Sequence, residues 1–154
     1  MALEYRGPFL LLFAVDSQVG TLLHTTMRAT PLTPEEFAVT SVLNLTGPTR
    51  VGELRALTGL RASSMSNYLR RFEERGIVRR RVDASDRRAS LVSLTAKGRR
   101  QTLACFPAFQ QAIEAFGKAL ADEGVQEADL LAALEGASRA LVAAQQAVEA
   151  PGQG

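Results

Sequence analysis

Between residues 49 and 95 the side chains able to make directional polar contacts recur at helical spacing. In the segment from Ala62 to Arg75, Ser63, Ser66, Asn67 and Arg70 fall on one face, while Met65, Leu69 and Phe72 take the opposite one at steps of four and three. Serines and an asparagine are small enough for close approach to a surface, and Ser63, Ser64 and Asn67 are the groups suited to base edges in a major groove. Three successive arginines follow (Arg79, Arg80, Arg81), and Arg87 and Arg88 come after the turn-rich sequence DASD. Arg79, Arg80 and Arg70 or Arg71 suit phosphates, whereas Arg87 and Arg88, at the tip of a hairpin, suit a narrow minor groove with its concentrated negative potential. The chemistry implied is recognition of duplex DNA.

Two short helices and a hairpin must position these groups. Val51, Leu54 and Leu57 share one face of a helix of about two turns, with Thr49 as its N-cap and Gly59 closing it. The second helix runs from Ala62 until Gly76 stops it. A helix pair joined by a turn of about three residues, the second helix short-polar at its start, is the layout of a helix-turn-helix. Ile77 and Val78 then open a strand, and Ala89 to Leu94 return, forming a wing.

Charge is distributed accordingly. The chain of 154 residues has a net charge of only +2. Residues 50–100 nevertheless hold 14 of the 18 Lys and Arg and 5 of the 16 Asp and Glu, a local +9 against −7 for the remainder. A basic centre between acidic ends fits a phosphate-facing surface on a neutral-to-acidic scaffold.

Around this centre the chain reads as helices. Phe9, Leu12, Val15, Val19, Leu22 and Leu23 recur at helical spacing up to Met27, with Asp16 inside the stripe, where a buried carboxylate needs a basic or hydrogen-bonding partner. Thr33, Pro34 and Glu36 spell an N-cap, first position and capping box for a helix carrying Phe37, Ser41, Val42 and Leu45 on one face, stopped by Gly47-Pro48. Thr95 caps a long helix with a buried stripe of Leu103, Phe106, Phe109 or Gln110, Ile113, Phe116 and Leu120; Pro107 predicts a kink, or two helices end to end. After Gly124, Leu130, Leu134, Ala137, Leu141, Ala144 and Val148 form a heptad seam. First and last helices this apolar predict a homodimer through both ends of the chain. Its two recognition helices would lie roughly 34 Å apart, on a palindromic operator.

The segments LTPEEFAVTSVL, LTGLRASSMSNYLRRFEERGIVRRR and DASDRRASLVSLTAKGRR resemble the MarR (multiple antibiotic resistance regulator) family of winged helix-turn-helix regulators, strongly over residues 32–100. The resemblance implies a mainly α fold with a small β wing, in which the winged helix-turn-helix (32–100) of a single domain (1–154) is flanked by N- and C-terminal dimerisation helices (5–28 and 101–150). The family's wing signature falls on Asp86 and Arg88, implying that Arg88 reaches the minor groove and that Asp86 steadies the wing through a basic partner. Arg61 stands where relatives often place an Asp, Ser or Thr N-cap. Relatives that release DNA on binding a small aromatic or phenolic molecule do so between dimer helices and winged region. Asp16, His24, Arg28 and the phenylalanines of the long helix are the groups that would line such a cleft here; each also has a simpler reading as a packing or surface residue.

Other classes fit less well. One histidine, one cysteine, no glycine-rich phosphate loop and no metal-ligand spacing argue against an enzyme, a metal or another cofactor. The longest apolar run, Phe9 to Val15, is far below the roughly 20 residues of a membrane helix, and no signal-peptide pattern is present, which predicts a cytoplasmic protein. Two alternatives stay open. One is a winged helix that binds a protein partner. The other is a thiol-responsive regulator using Cys105, although an apolar helix neighbourhood (Leu103, Ala104, Phe106) would keep that thiol inert.

Overall fold

The computed structural model describes residues 7–82 and 90–149. Among these residues, six helices and three strands follow in the order α1 (Pro8–Thr26), α2 (Pro34–Thr46), β1 (Thr49–Arg50), α3 (Val51–Thr58), α4 (Ala62–Glu74), β2 (Val78–Val82), β3 (Ser90–Leu94), α5 (Ala96–Asp122) and α6 (Glu127–Glu149). This is the mainly α architecture with a small wing. Contacts group the chain into two units, one up to Ala112 and one from Ile113 onward.

The first unit is organised by helix caps. Thr33 Oγ1 accepts from the Glu36 backbone N–H while the Glu36 carboxylate accepts from the Thr33 N–H, closing the capping box, with Pro34 at the first turn. Gly59 (φ +67°) and Gly76 (φ +65°) take the left-handed conformation that ends α3 and α4. Thr95 caps α5, its hydroxyl accepting from the Gly98 N–H at 3.0 Å and donating to the Gly76 carbonyl at 2.7 Å. The antiparallel sheet has β3 at its centre, with Val78 opposite Leu94 and Val82 opposite Ser90 on one side, and Thr49 opposite Val92 on the other.

The core beneath these elements gathers Leu32, Phe37, Val39, Leu43, Leu54, Met65, Leu69, Phe72, Ile77, Val92 and Cys105. Phe37 lies edge-on to Phe106 at 5.3 Å and tilted against Phe109 at 5.0 Å, fixing α2 on α5.

Several expectations are corrected. Thr49 is not the N-cap of α3: it pairs in β1, buried, its hydroxyl 2.6 Å from that of Thr46, and Arg50 takes the cap position. A strand of two residues has no periodicity to read. Leu57 is 54% exposed and Leu45 80% exposed; on α2 the inward positions are Glu36, Phe37, Val39, Thr40 and Leu43. That helix is packed by α1, α3 and β3, so its buried arc is wider than one stripe. Asp16 is exposed, and no residue of α1 is buried, so the carboxylate needs no partner. In α5 the buried positions are Gly98, Thr102, Cys105 and Ala112, whereas Leu103, Ile113 and Phe116 are exposed. The helix also runs through Pro107 as a single element rather than two. Packing of Cys105 and Ala112 on either side of the proline outweighs the lost hydrogen bond.

The second unit comprises the end of α5 and α6. Gly124 (φ +70°) reverses the chain, and the Val125 N–H donates to the Leu120 carbonyl at 2.9 Å to close α5. Ile113, Phe116, Leu120, Leu130, Leu131 and Leu134 line an apolar groove of about 330 Å³ in this unit.

Gly98 marks the closest backbone approach in the first unit: a Cβ there would overlap the Ile77 carbonyl, which also accepts from the Thr95 N–H. Gly98→Ala is therefore expected to cost about 3 kcal/mol in chemical denaturation, the upper part of the range for overpacking. A loss below about 0.5 kcal/mol, the ordinary surface value, would contradict the close approach.

Candidate nucleic-acid interface

Met65, Leu69 and Phe72 are fully buried, so α4 is pinned along one side and its opposite side faces outward. On that free side Ser63, Ser66, Asn67 and Arg70 are exposed, with Ser64 partly covered. The helix starts at Ala62 with Arg61 extended at the cap position (φ −64°, ψ 153°), and no side chain caps it. Its first N–H groups thus keep their donor capacity, beside an exposed guanidinium.

The arginines are more constrained than their number implies. Arg70 pairs with Glu74 at 3.0 Å, one turn along α4, and Arg80 on β2 pairs with Glu73 at 2.9 Å. Arg79 donates from Nε to Ser93 Oγ at 3.3 Å, across the register pair Arg79–Ser93. Arg71 reaches Glu36 Oε1 at 3.1 Å, and Arg75, at the end of the same helix, reaches the same oxygen at 2.6 Å. Arg61, Arg81, Arg99 and Arg100 are exposed and form no ion pair with a described residue. Asp86, Arg87 and Arg88 lie outside the described residues.

Polar contacts that the sequence did not disclose converge on the C-terminal end of α4. Glu36 is buried and receives both guanidiniums; Arg75 also donates to the Pro31 carbonyl at 3.3 Å; Lys97 donates to the Arg75 carbonyl at 2.7 Å. Glu36 was legible only as a capping residue, because its second role needs α4, 35 to 39 residues away, folded against it. Tyr68 stacks on Phe72 with centroids 6.0 Å apart. Burial pushes its phenol upward, the charges of Glu35 and Glu36 add to this, and Arg71 opposes it.

Of the three residues considered for a small ligand, His24 and Arg28 line one cleft of about 390 Å³, with Glu36, Arg71 and Arg75. Asp16 lines neither this cleft nor the neighbouring cavity of about 270 Å³ bounded by Leu23, Phe37, Val42 and Phe109. His24 Nε2 lies 3.0 Å from Glu35 Oε1. Burial raises the Glu35 carboxyl, but its own backbone N–H, the Thr33 hydroxyl and His24 outweigh this and hold it below its ordinary value. Cys105 is fully buried, its thiol directed at the Gln101 carbonyl 3.3 Å away, a position that shields it from an oxidant. Among the described residues no group of three His, Cys, Asp or Glu is placed to hold a metal, and no helix is long and apolar enough to cross a membrane.

Known proteins share this arrangement. A family model described as MarR family matches residues 30–89. The uncharacterized HTH-type transcriptional regulator YcgE of Bacillus subtilis is 39% identical over 70 residues, 45% of this chain. The match spans 46% of that relative, under half its length. A probable transcriptional regulator from Pseudomonas aeruginosa has a similar structure, with a TM-score of 0.72 at 27% identity, covering 88% of this chain and 98% of that one. Bordetella bronchiseptica BpsR, whose DNA binding is regulated by 6-hydroxynicotinic acid, shares the fold with a TM-score of 0.74 at 21% identity over 90% of this chain and 96% of its own. With the helix pair, the strands β2 and β3 and the caps described, the chain carries a helix-turn-helix followed by a strand pair, and its residues 30–89 match the model of the MarR family.

Proposed function

We propose that the chain is a cytoplasmic, homodimeric, sequence-specific transcriptional regulator, a ligand-responsive repressor that binds a palindromic operator. The observation that carries this reading is the division of α4 into a buried apolar side and a free side of Ser63, Ser66, Asn67 and Arg70. A helix held this way presents short polar groups to base edges while its neighbours hold the backbone. Ser63, Ser64 and Asn67 would specify sequence; Ser66, Arg70, Arg79 and Arg80 would position the duplex, Arg70 and Arg80 exchanging their solvent-accessible glutamate partners for phosphate, whereas Arg71, held on the buried Glu36, would add to the local positive charge without leaving that partner. Such exposed pairs are worth little, about 1 kcal/mol or less, so the exchange is inexpensive. Arg87 and Arg88 would enter the minor groove, with Asp86 steadying the wing.

Dimerisation is supported by apolar surface exposed among the described residues. Phe9, Leu10, Leu11 and Phe13 on α1 are at least half exposed, and in the second unit Ile113, Phe116 and Leu134 are nearly so. A second copy pairing through α1, α5 and α6 would cover such faces, consistent with a two-fold reader of two half-sites. Effector response is supported by the cavity beside Phe37 and Phe109, whose apolar walls and size suit a small aromatic or phenolic molecule.

Two substitutions test the DNA contacts. Arg88→Ala is expected to weaken operator binding by about 1–3 kcal/mol while leaving the melting temperature unchanged; equal affinity for the variant and the parent would remove the minor-groove role. Asn67→Ala is expected to lower discrimination among operator variants by about 1–3 kcal/mol at one base position. Retained preference at every position would count against a base contact.

A further inference from the structure

The cleft at the joint of α1, α2 and α4 has a chemistry of its own. Three guanidiniums, Arg28, Arg71 and Arg75, and the His24 imidazole line it, while Glu36 is the carboxylate among its walls and Glu35 stands beside His24. Glu36 is already committed: Oε1 accepts from both Arg71 and Arg75, and Oε2 accepts from the Thr33 N–H at 3.3 Å. The guanidiniums are not. Each carries five N–H donors; Arg71 spends one on Glu36, and Arg75 spends one on Glu36 and one on the Pro31 carbonyl. Arg28 is exposed and has no hydrogen-bond or ion-pair partner among the described residues. Surplus donors on three planar cations around an opening of about 390 Å³ are what a compact oxyanion requires.

We propose that this cleft binds a small oxyanion with several charged oxygens, of the polycarboxylate or phosphate type, and that α4 senses its occupancy through Arg71 and Arg75. Arg71 lies in the last turn of α4 and Arg75 is its C-cap, and both are held to α2 through Glu36. An anion that draws these guanidiniums away from Glu36 leaves a buried carboxylate with its charged partners weakened, a costly arrangement that favours a shift of α4 relative to α2. The sensing half rests on α4 being the recognition helix, as proposed above. This site is separate from the apolar cavity beside Phe109: charged donors select its ligand, not ring-shaped apolar walls.

The test is titration calorimetry on the full chain with sodium citrate and with inorganic phosphate, chloride being used to hold ionic strength constant, for the parent and for Arg28→Gln. Arg28 is exposed and outside the core, so this variant should fold as the parent does. Saturable binding is expected, weakened roughly tenfold or more by Arg28→Gln through loss of charge-assisted hydrogen bonds. Citrate alone binding assigns an organic polycarboxylate, phosphate alone assigns a phosphate, and binding of both assigns a general oxyanion site. Heat that merely follows ionic strength, or equal affinity in the variant, overturns the site. The sensing half is read separately, as a fall in affinity for a labelled duplex on saturation with the bound anion; unchanged duplex affinity overturns it. A chain that binds the anion but no duplex would sink the regulator reading and leave the site standing.

Discussion

One buried carboxylate holds the helix-turn-helix region together. Glu36 closes the capping box that starts α2 and accepts both guanidiniums from the far end of α4, so the start of one helix and the end of another are set by one side chain. Neighbouring contacts tighten the same corner: Lys97 caps the Arg75 carbonyl, Thr95 bonds the Gly76 carbonyl, and Gly98 lets α5 lie against Ile77. Buried polar groups that are fully satisfied rigidify and specify an arrangement; partly satisfied ones are costly. The C-terminal end of α4 is thus fixed by polar contacts and its inner side by Met65, Leu69 and Phe72, which leaves the outer side of its first turns as the surface free to meet a ligand.

The same network revises the electrostatics. A local excess of +9 gives the impression of an open cationic face, yet Arg70, Arg71, Arg75 and Arg80 each have a glutamate partner within the chain. Exposed pairs such as Arg70–Glu74 can release their arginine to a phosphate cheaply, because water and salt already weaken them. Those on Glu36 cannot, since the carboxylate is buried and would lose its compensation. Two kinds of arginine therefore occupy adjacent positions on α4: Arg70 is available to a duplex, and Arg71 is anchored to the scaffold.

Local chemistry was legible in the sequence, and shared chemistry was not. Thr33–Glu36, Gly59, Gly76 and Thr95 were readable because a cap or a left-handed turn depends on a few consecutive residues. The inner face of α4 was readable because Met65, Leu69 and Phe72 leave no alternative stripe. Periodicity failed where a helix has several neighbours or exposed apolar residues of its own: Leu45, Leu57, Leu103 and Phe116 match the pattern yet lie exposed in the chain. Thr49 in a two-residue strand, Gly98 against Ile77 and Glu36 beneath two arginines each depend on a partner remote in sequence. Of the candidate site, the free face of α4 was legible from residue spacing, whereas the pairing that divides its arginines into available and anchored ones emerged only with the tertiary structure.

The central claim, that α4 and the wing read duplex DNA as part of a dimer, is tested most directly by selecting bound duplexes from a random and genomic pool and following the recovered sequence through a salt titration. A palindrome with half-sites one helical turn apart is expected, with an affinity that falls steeply with added salt, as counterion release by several phosphate contacts demands. Absence of any salt-sensitive duplex binding would contradict it and would point to a winged helix that engages a protein partner.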